Sequence, residues 1–199
     1  MHFQFRQPLR QTHLKAPLHY ESTLKPVIKW VETMVIGLNL CPFARKEWVS
    51  DRVRMMVSEA RTQDDLLVDL EEEMSLLQGD STLSTTLVIH PWVLEDFGDY
   101  NQFLDSVDTL LQFKGLVGVF QIASFHPDYQ FAETDPEDVE NATNRSPFPI
   151  LHILRERSIA SAVAGYPDPE KIPEQNIALL KKMGSDKIHA MLKACFDAN

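Results

Sequence analysis

The chain has 199 residues, 44% of them hydrophobic, a net charge of −10 and two cysteines. That length suits one domain with enough apolar residues for a full core, and no run approaches the ~20 apolar residues of a membrane-spanning helix. The acidic balance argues against a surface that tracks nucleic-acid phosphates, and Cys41 and Cys195 stand too far apart for a paired metal motif or a disulfide framework, so a cytoplasmic protein with no nucleic-acid or membrane partner is expected.

Residues 1–22 mix basic, polar and aromatic side chains without a period and read as an N-terminal arm, with a single globular domain over 23–199. Leu24, Val27, Ile28, Val31, Val35 and Leu38 recur at spacings of three and four and predict a helix, with Pro26 in its first turn and its end at Asn39. Residues 52–58 alternate and then become apolar, which predicts a strand. Thr62 and Asp65 form a variant capping box before a helix that carries Leu66, Leu67, Leu70, Met74 and Leu77 and stops at Gly79. Residues 85–92 predict a second strand whose continuously apolar centre suits burial on both faces. Asp99 reads as the cap of a helix with Phe103, Leu104, Val107, Leu110 and Leu111 on one stripe, and Gly115 and Gly118 frame a third strand over 117–126. Ser146-Pro147 reads as the start of a helix through Glu156. A loop at Tyr166–Pro169, a helix from Glu174 to Met183 and a last helix with Ile188, Met191, Leu192, Cys195 and Phe196 on one side complete a helical C-terminal third. The expected fold class is α/β or α+β, a small parallel or mixed three-stranded sheet with packed helices, in which the helical crossovers join parallel neighbours.

Chemistry is expected beyond the carboxyl ends of those strands. Two apolar runs end in His-Pro, at His90-Pro91 and His126-Pro127, and the proline stops the ladder. His90, His126 and Asp128 make one metal-ligand set, with imidazole and carboxylate donors that suit zinc or iron; singly buried, hydrogen-bonded histidines are the plainer alternative. Asn144 and Arg145 precede the expected helix at 146–156, and His152 and Arg155 share one of its faces, so its N-terminus and the two arginines could seat an anionic small molecule. Ordinary capping explains the same residues. Cys41, in Leu40-Cys41-Pro42, reads first as a structural cysteine; a thiolate paired with His126 or His152 is the sharper alternative. Six carboxylates between Asp128 and Glu140, with no Lys or Arg among them, are a solvated acidic loop or an aid to holding a cation.

The segments GLNLCPFA, FHPDYQF, NRSPFPILHILRE and YPDPEKIPEQN resemble, in that order, the hallmark segments of the domain of unknown function 1415 family. The resemblance spans roughly residues 24–185 and leaves out the arm and the last helix. It implies a bacterial, cytosolic protein and brings no activity and no catalytic residue. Function therefore rests on the residues. The favoured expectation is a small-molecule enzyme on an anionic substrate, metal-dependent through the set above or using His126 or His152 as base with Asp128 as orienting partner and Cys41 as an extra member. The alternatives are a non-catalytic metal- or anion-binding protein and a protein-interaction module. The oligomeric state is not readable from the sequence.

Overall fold

A computed structural model describes residues 20–197. Its centre is a four-stranded sheet of β1 (Val53–Val57), β2 (Thr85–Ile89), β3 (Phe120–Phe125) and β4 (Ile150–Arg155), in the spatial order β1-β2-β4-β3. β1 and β2 are parallel, with Val57 opposite Ile89. β4 is antiparallel to both neighbours, with Ile150 opposite Ile89 on one side and Phe125 on the other. β1, β2 and β3 therefore run the same way, and all three end at the same edge of the sheet.

The mixed α/β character agrees with expectation, but the strand count does not. The stretch read as a helix at 146–156 is β4, followed at once by helix α5 (Glu156–Ala164). The reason is burial. β4 is a central strand covered on both faces, so Ile150-Leu151-His152-Ile153-Leu154 shows no period-2 alternation, and a short apolar run of that kind does not separate strand from helix. Its insertion also means that β2 and β3, expected as parallel neighbours, do not pair with each other.

Alternation along the strands splits the core in two. On one face Met56, Val88, Leu151 and Ile153 pack against Leu66, Leu70 and Met74 of α3 (Gln63–Gly79) and Tyr100, Phe103 and Val107 of α4 (Phe97–Phe113). On the other, Met55, Leu87, Ile89 and Ile150 pack against Val27 and Trp30 of α1 (Tyr20–Trp30), Met34 of the π-helical turn that continues it (Val31–Ile36), Leu180 of α6 (Ile172–Met183) and Ile188 of α7 (Ser185–Ala194). A further short helix, α2 (Ala44–Val49), precedes β1.

Local chemistry explains the starts and stops. Thr62 caps α3 as expected, accepting from the Asp65 N–H at 3.1 Å and donating its hydroxyl to the Asp65 carboxylate at 2.7 Å. Asp96, not Asp99, caps α4 by accepting from the Asp99 N–H. α1 begins at Tyr20, inside the stretch read as an arm, which places Pro26 within the helix rather than in its first turn. Residues 1–19 of that arm lie outside the described residues. β1 is fastened to α3 by a buried, two-pronged ion pair in which Arg54 donates to both Glu73 oxygens at 2.7 and 2.9 Å. No helix among the described residues is long and apolar enough to cross a membrane.

Candidate functional site

The first residue past each of the three co-directional strands is polar, and all three lie on the α3–α4 face: Ser58 after β1, His90 after β2 and His126 after β3. The Ser58 N–H donates to Ile89 O at 2.8 Å, extending the β1–β2 ladder to the point where the side chains emerge. The Ser58 hydroxyl donates to Asp69 of α3 at 2.6 Å and accepts from the Ala60 N–H at 3.0 Å. Burial raises the Asp69 carboxyl above the usual carboxylate range, against the opposing Ser58 hydrogen bond.

Tyr100 of α4 joins the two histidines. Its ring stacks on His90 at a centroid distance of 5.7 Å and 13° between planes, and it meets His126 at 5.1 Å. Its hydroxyl accepts from the Phe125 N–H at 3.1 Å and donates to Ile150 O at 2.8 Å. Phe125 and Ile150 are register partners, so the phenol is inserted where the β3–β4 ladder would otherwise close. Burial pushes this phenol well above its ordinary value.

Both imidazoles are fully buried. His90 donates from Nδ1 to Val93 O at 3.0 Å, because a carbonyl can only accept. Its Nε2 is then a bare lone pair. Among the described residues two buried side-chain polar atoms have no hydrogen-bond partner, this Nε2 and Thr86 Oγ1. Burial, with a smaller push from neighbouring His126, lowers His90 to about 4. His126 donates from Nε2 to Leu94 O at 3.2 Å and accepts at Nδ1 from the Asp128 N–H at 3.0 Å. Burial lowers it too, against the pull of the Asp128 and Asp96 carboxylates. Phe97 packs against His126 and Tyr129 at 5.4 and 5.2 Å and closes the cluster on its outer side.

The other expected site residues are dispersed. His126 is grouped with His90, not with His152. His152 lies on the opposite face of the sheet, beside Phe125 and donating to Thr85 Oγ1 at 2.6 Å, which in turn donates to Ile153 O; burial lowers it to about 4. The metal set of His90, His126 and Asp128 is not assembled. Both His126 nitrogens are engaged, the Asp128 contact is made by its backbone amide, and no group of three His, Cys, Asp or Glu side chains among the described residues is placed to hold an ion.

The expected anion seat at the start of a 146–156 helix does not exist, because that segment is β4. Antiparallel β4 carries Arg155 to the far end of the sheet, opposite Phe120, while Arg145 stays near the carboxyl ends. Arg155 reaches the carbonyls of Leu77, Asp80 and Leu83, where α3 ends. Arg145 donates to the carbonyls of Tyr129 and Pro136. Asn144 donates to Ser124 O, and its own carbonyl accepts from the His126 N–H. Half-buried Cys41 has its thiol raised by burial, opposed by the amides of Phe43 and Ala44, with no imidazole among the described residues acting on it.

Two residues that sequence reasoning missed hold this end together. One is Tyr100, hidden as an ordinary member of an amphipathic helix. The other is Asn141, fully buried, whose Oδ1 accepts from the Phe131 N–H and the Thr134 hydroxyl and whose Nδ2 donates to Asp135 O. The acidic stretch is therefore an ordered loop wrapped on an asparagine. An asparagine in a polar stretch gives no sequence signal of burial.

The quoted hallmark segments meet in pairs. FHPDYQF joins the start of NRSPFPILHILRE through His126, Ser146, Tyr129 and Arg145. GLNLCPFA joins YPDPEKIPEQN through a hydrogen bond from Asn176 to Leu40 O at 2.8 Å and an edge contact of Phe43 with Tyr166. A family model described as protein of unknown function (DUF1415) matches residues 22–190. The chain belongs to this DUF1415 family. The match runs into α7, beyond the limit of residue 185 drawn from the sequence segments. No curated protein and no solved structure matches the chain. For this DUF1415 member the functional reading therefore rests on its own geometry.

Proposed function

We propose that this chain is a small-molecule-binding protein whose ligand donates a hydrogen bond to His90 Nε2 at the carboxyl end of the sheet. The observation that carries the reading is that lone pair, buried and unpartnered at a position where open sheets place their ligands. An unsatisfied buried acceptor costs about 1–3 kcal/mol, and a ligand hydroxyl or amine supplied to it would recover that cost. Arg145 supports an anionic group on the same ligand: both of its hydrogen bonds go to carbonyls, which leave its charge unneutralised. The imidazole and phenol groups around Tyr100 also favour a second reading, an enzyme that moves a proton at His90.

The test is ligand-detected screening with small anionic metabolites that bear a hydroxyl or amine, followed by 15N spectra of the histidine rings. A true ligand stabilises the wild type, shifts the His90 Nε2 resonance and loses its effect in His90→Phe. If every compound that stabilises the protein leaves that resonance unmoved, the reading fails. Turnover of a bound ligand, lost in His90→Gln, would establish the enzyme reading.

A further inference from the structure

We propose that the turn His126-Pro127-Asp128 is a proton-operated latch: a proton taken from water by His126 Nδ1 expels the Asp128 amide and opens the turn at the end of the sheet. This needs no ligand and stands apart from the reading above.

The argument is one of donors and acceptors. A neutral imidazole has one of each, and His126 uses both, Nε2–H toward Leu94 O and the Nδ1 lone pair toward the Asp128 N–H. Once protonated it donates at both nitrogens, so Nδ1–H faces another N–H. The ring is fully buried, so no solvent can resolve that clash in place. One side must move, and the fold determines which. Leu94 lies just ahead of α4, whose cap is Asp96, and the His126 backbone is bonded to Asn144 and Ser146. Asp128 is exposed and follows a proline that donates no bond.

The groups around the ring set the direction. Asp128 from its own segment and Asp96 from the start of α4 both favour the imidazolium, as do the Leu94 and Glu95 backbones; His90 at the end of β2, lowered to about 4 in part by His126, is the group that gives way. Tyr100 packs against the ring, and Tyr129 lies beyond Phe97. The Asp128 carboxylate is the natural new partner for Nδ1–H, and bringing it round requires the 127–128 backbone to turn. The rest of the loop stays fastened by Asn141, which holds Phe131, Thr134 and Asp135, and by Arg145 on Tyr129 and Pro136, so the opening is confined to the turn.

Amide exchange of the full chain, measured by NMR from neutral pH downward alongside the His126 ring titration, tests the latch. The Asp128 amide is expected to lose protection about tenfold for each pH unit between the ordinary histidine value, about 6.5, and the His126 midpoint, and to level off below it, while Met56 in β1 and Val88 in β2 keep theirs. In His126→Asn the side-chain Oδ1 can accept from the same amide without titrating, and the loss disappears. Three results would overturn the proposal: wild-type Asp128 stays protected through the His126 titration; Met56 and Val88 lose protection in step with it, which is acid unfolding; or His126→Asn shows the same pH dependence, which puts the opening on the Asp135 and Asp138 carboxylates. Should His126→Asn fail to fold, the wild-type comparison of Asp128 with Met56 still decides.

Discussion

Arg155 shows how a side chain suited to binding an anion serves instead as part of the frame. Its guanidinium gathers carbonyls from the end of α3 and the turn into β2 and lies over the Phe120 ring at 5.9 Å. Helix C-termini leave carbonyls without partners and carry partial negative charge, so a cation there is stabilising. Hydrogen bonds to a charged group are worth about 1.5–3 kcal/mol. Arg155→Ala is therefore expected to lose about 2 kcal/mol in urea unfolding while leaving the His90 and His126 ring resonances unchanged. A variant of wild-type stability with displaced His90 or His126 resonances would return Arg155 to the site. The residue type was legible in the sequence and its role was not, because the role depends on which end of the sheet an antiparallel strand delivers it to.

Among the elements, the long N-terminal helix is the clearest example of a pattern read correctly with a local detail hidden. Its stripe from Leu24 onward buries Leu24, Val27 and Val31 as spacing implied, but at its end Met34 and Ile36 are buried and Val35 and Leu38 only half-buried. The widening to a π-helical turn over Val31–Ile36 carries no sequence signature. It matters at Gly37, where an added Cβ would collide with Thr33 O, a backbone atom that cannot swing aside. Gly37→Ala is expected to cost at least as much as ordinary overpacking, about 1–3 kcal/mol, although alanine favours helices elsewhere. Thermal unfolding checks this, and an unchanged or raised midpoint would refute it. The strands divide in the same way. β1 announced itself through alternation, and β2 and β3 through their apolar runs and the closing prolines Pro91 and Pro127. β4 did not, because Ser146-Pro147 imitates a helix start and burial on both faces erases alternation. That one misreading removed the anion seat and separated His152 from His126.

For the whole molecule, three histidines lowered by burial make the fold acid-sensitive. An unfolded chain takes up protons near the ordinary value of 6.5, whereas folded His90 and His152 do so near 4. Between those values the unfolded state binds more protons, so stability is full above about pH 6.5, falls as pH drops toward 4 and levels off below it. For His90 the loss reaches roughly 3 kcal/mol by pH 4. Urea unfolding from pH 7 to 4 should show this slope, and His90→Gln should flatten part of it; a profile identical to wild type would show that His90 titrates normally in the folded protein. The sheet also has an order of assembly. Among the described residues β3 pairs with no strand except β4, the last of the four to be synthesised, and β4 joins it to the β1–β2 pair. Until residue 155 has left the ribosome the nascent chain carries two separate strand edges with nothing between them, the kind of unpaired edge that templates association with other chains. The central strand is thus also the closing one, and a chain truncated anywhere before Ile150 loses the seam of the sheet rather than its margin.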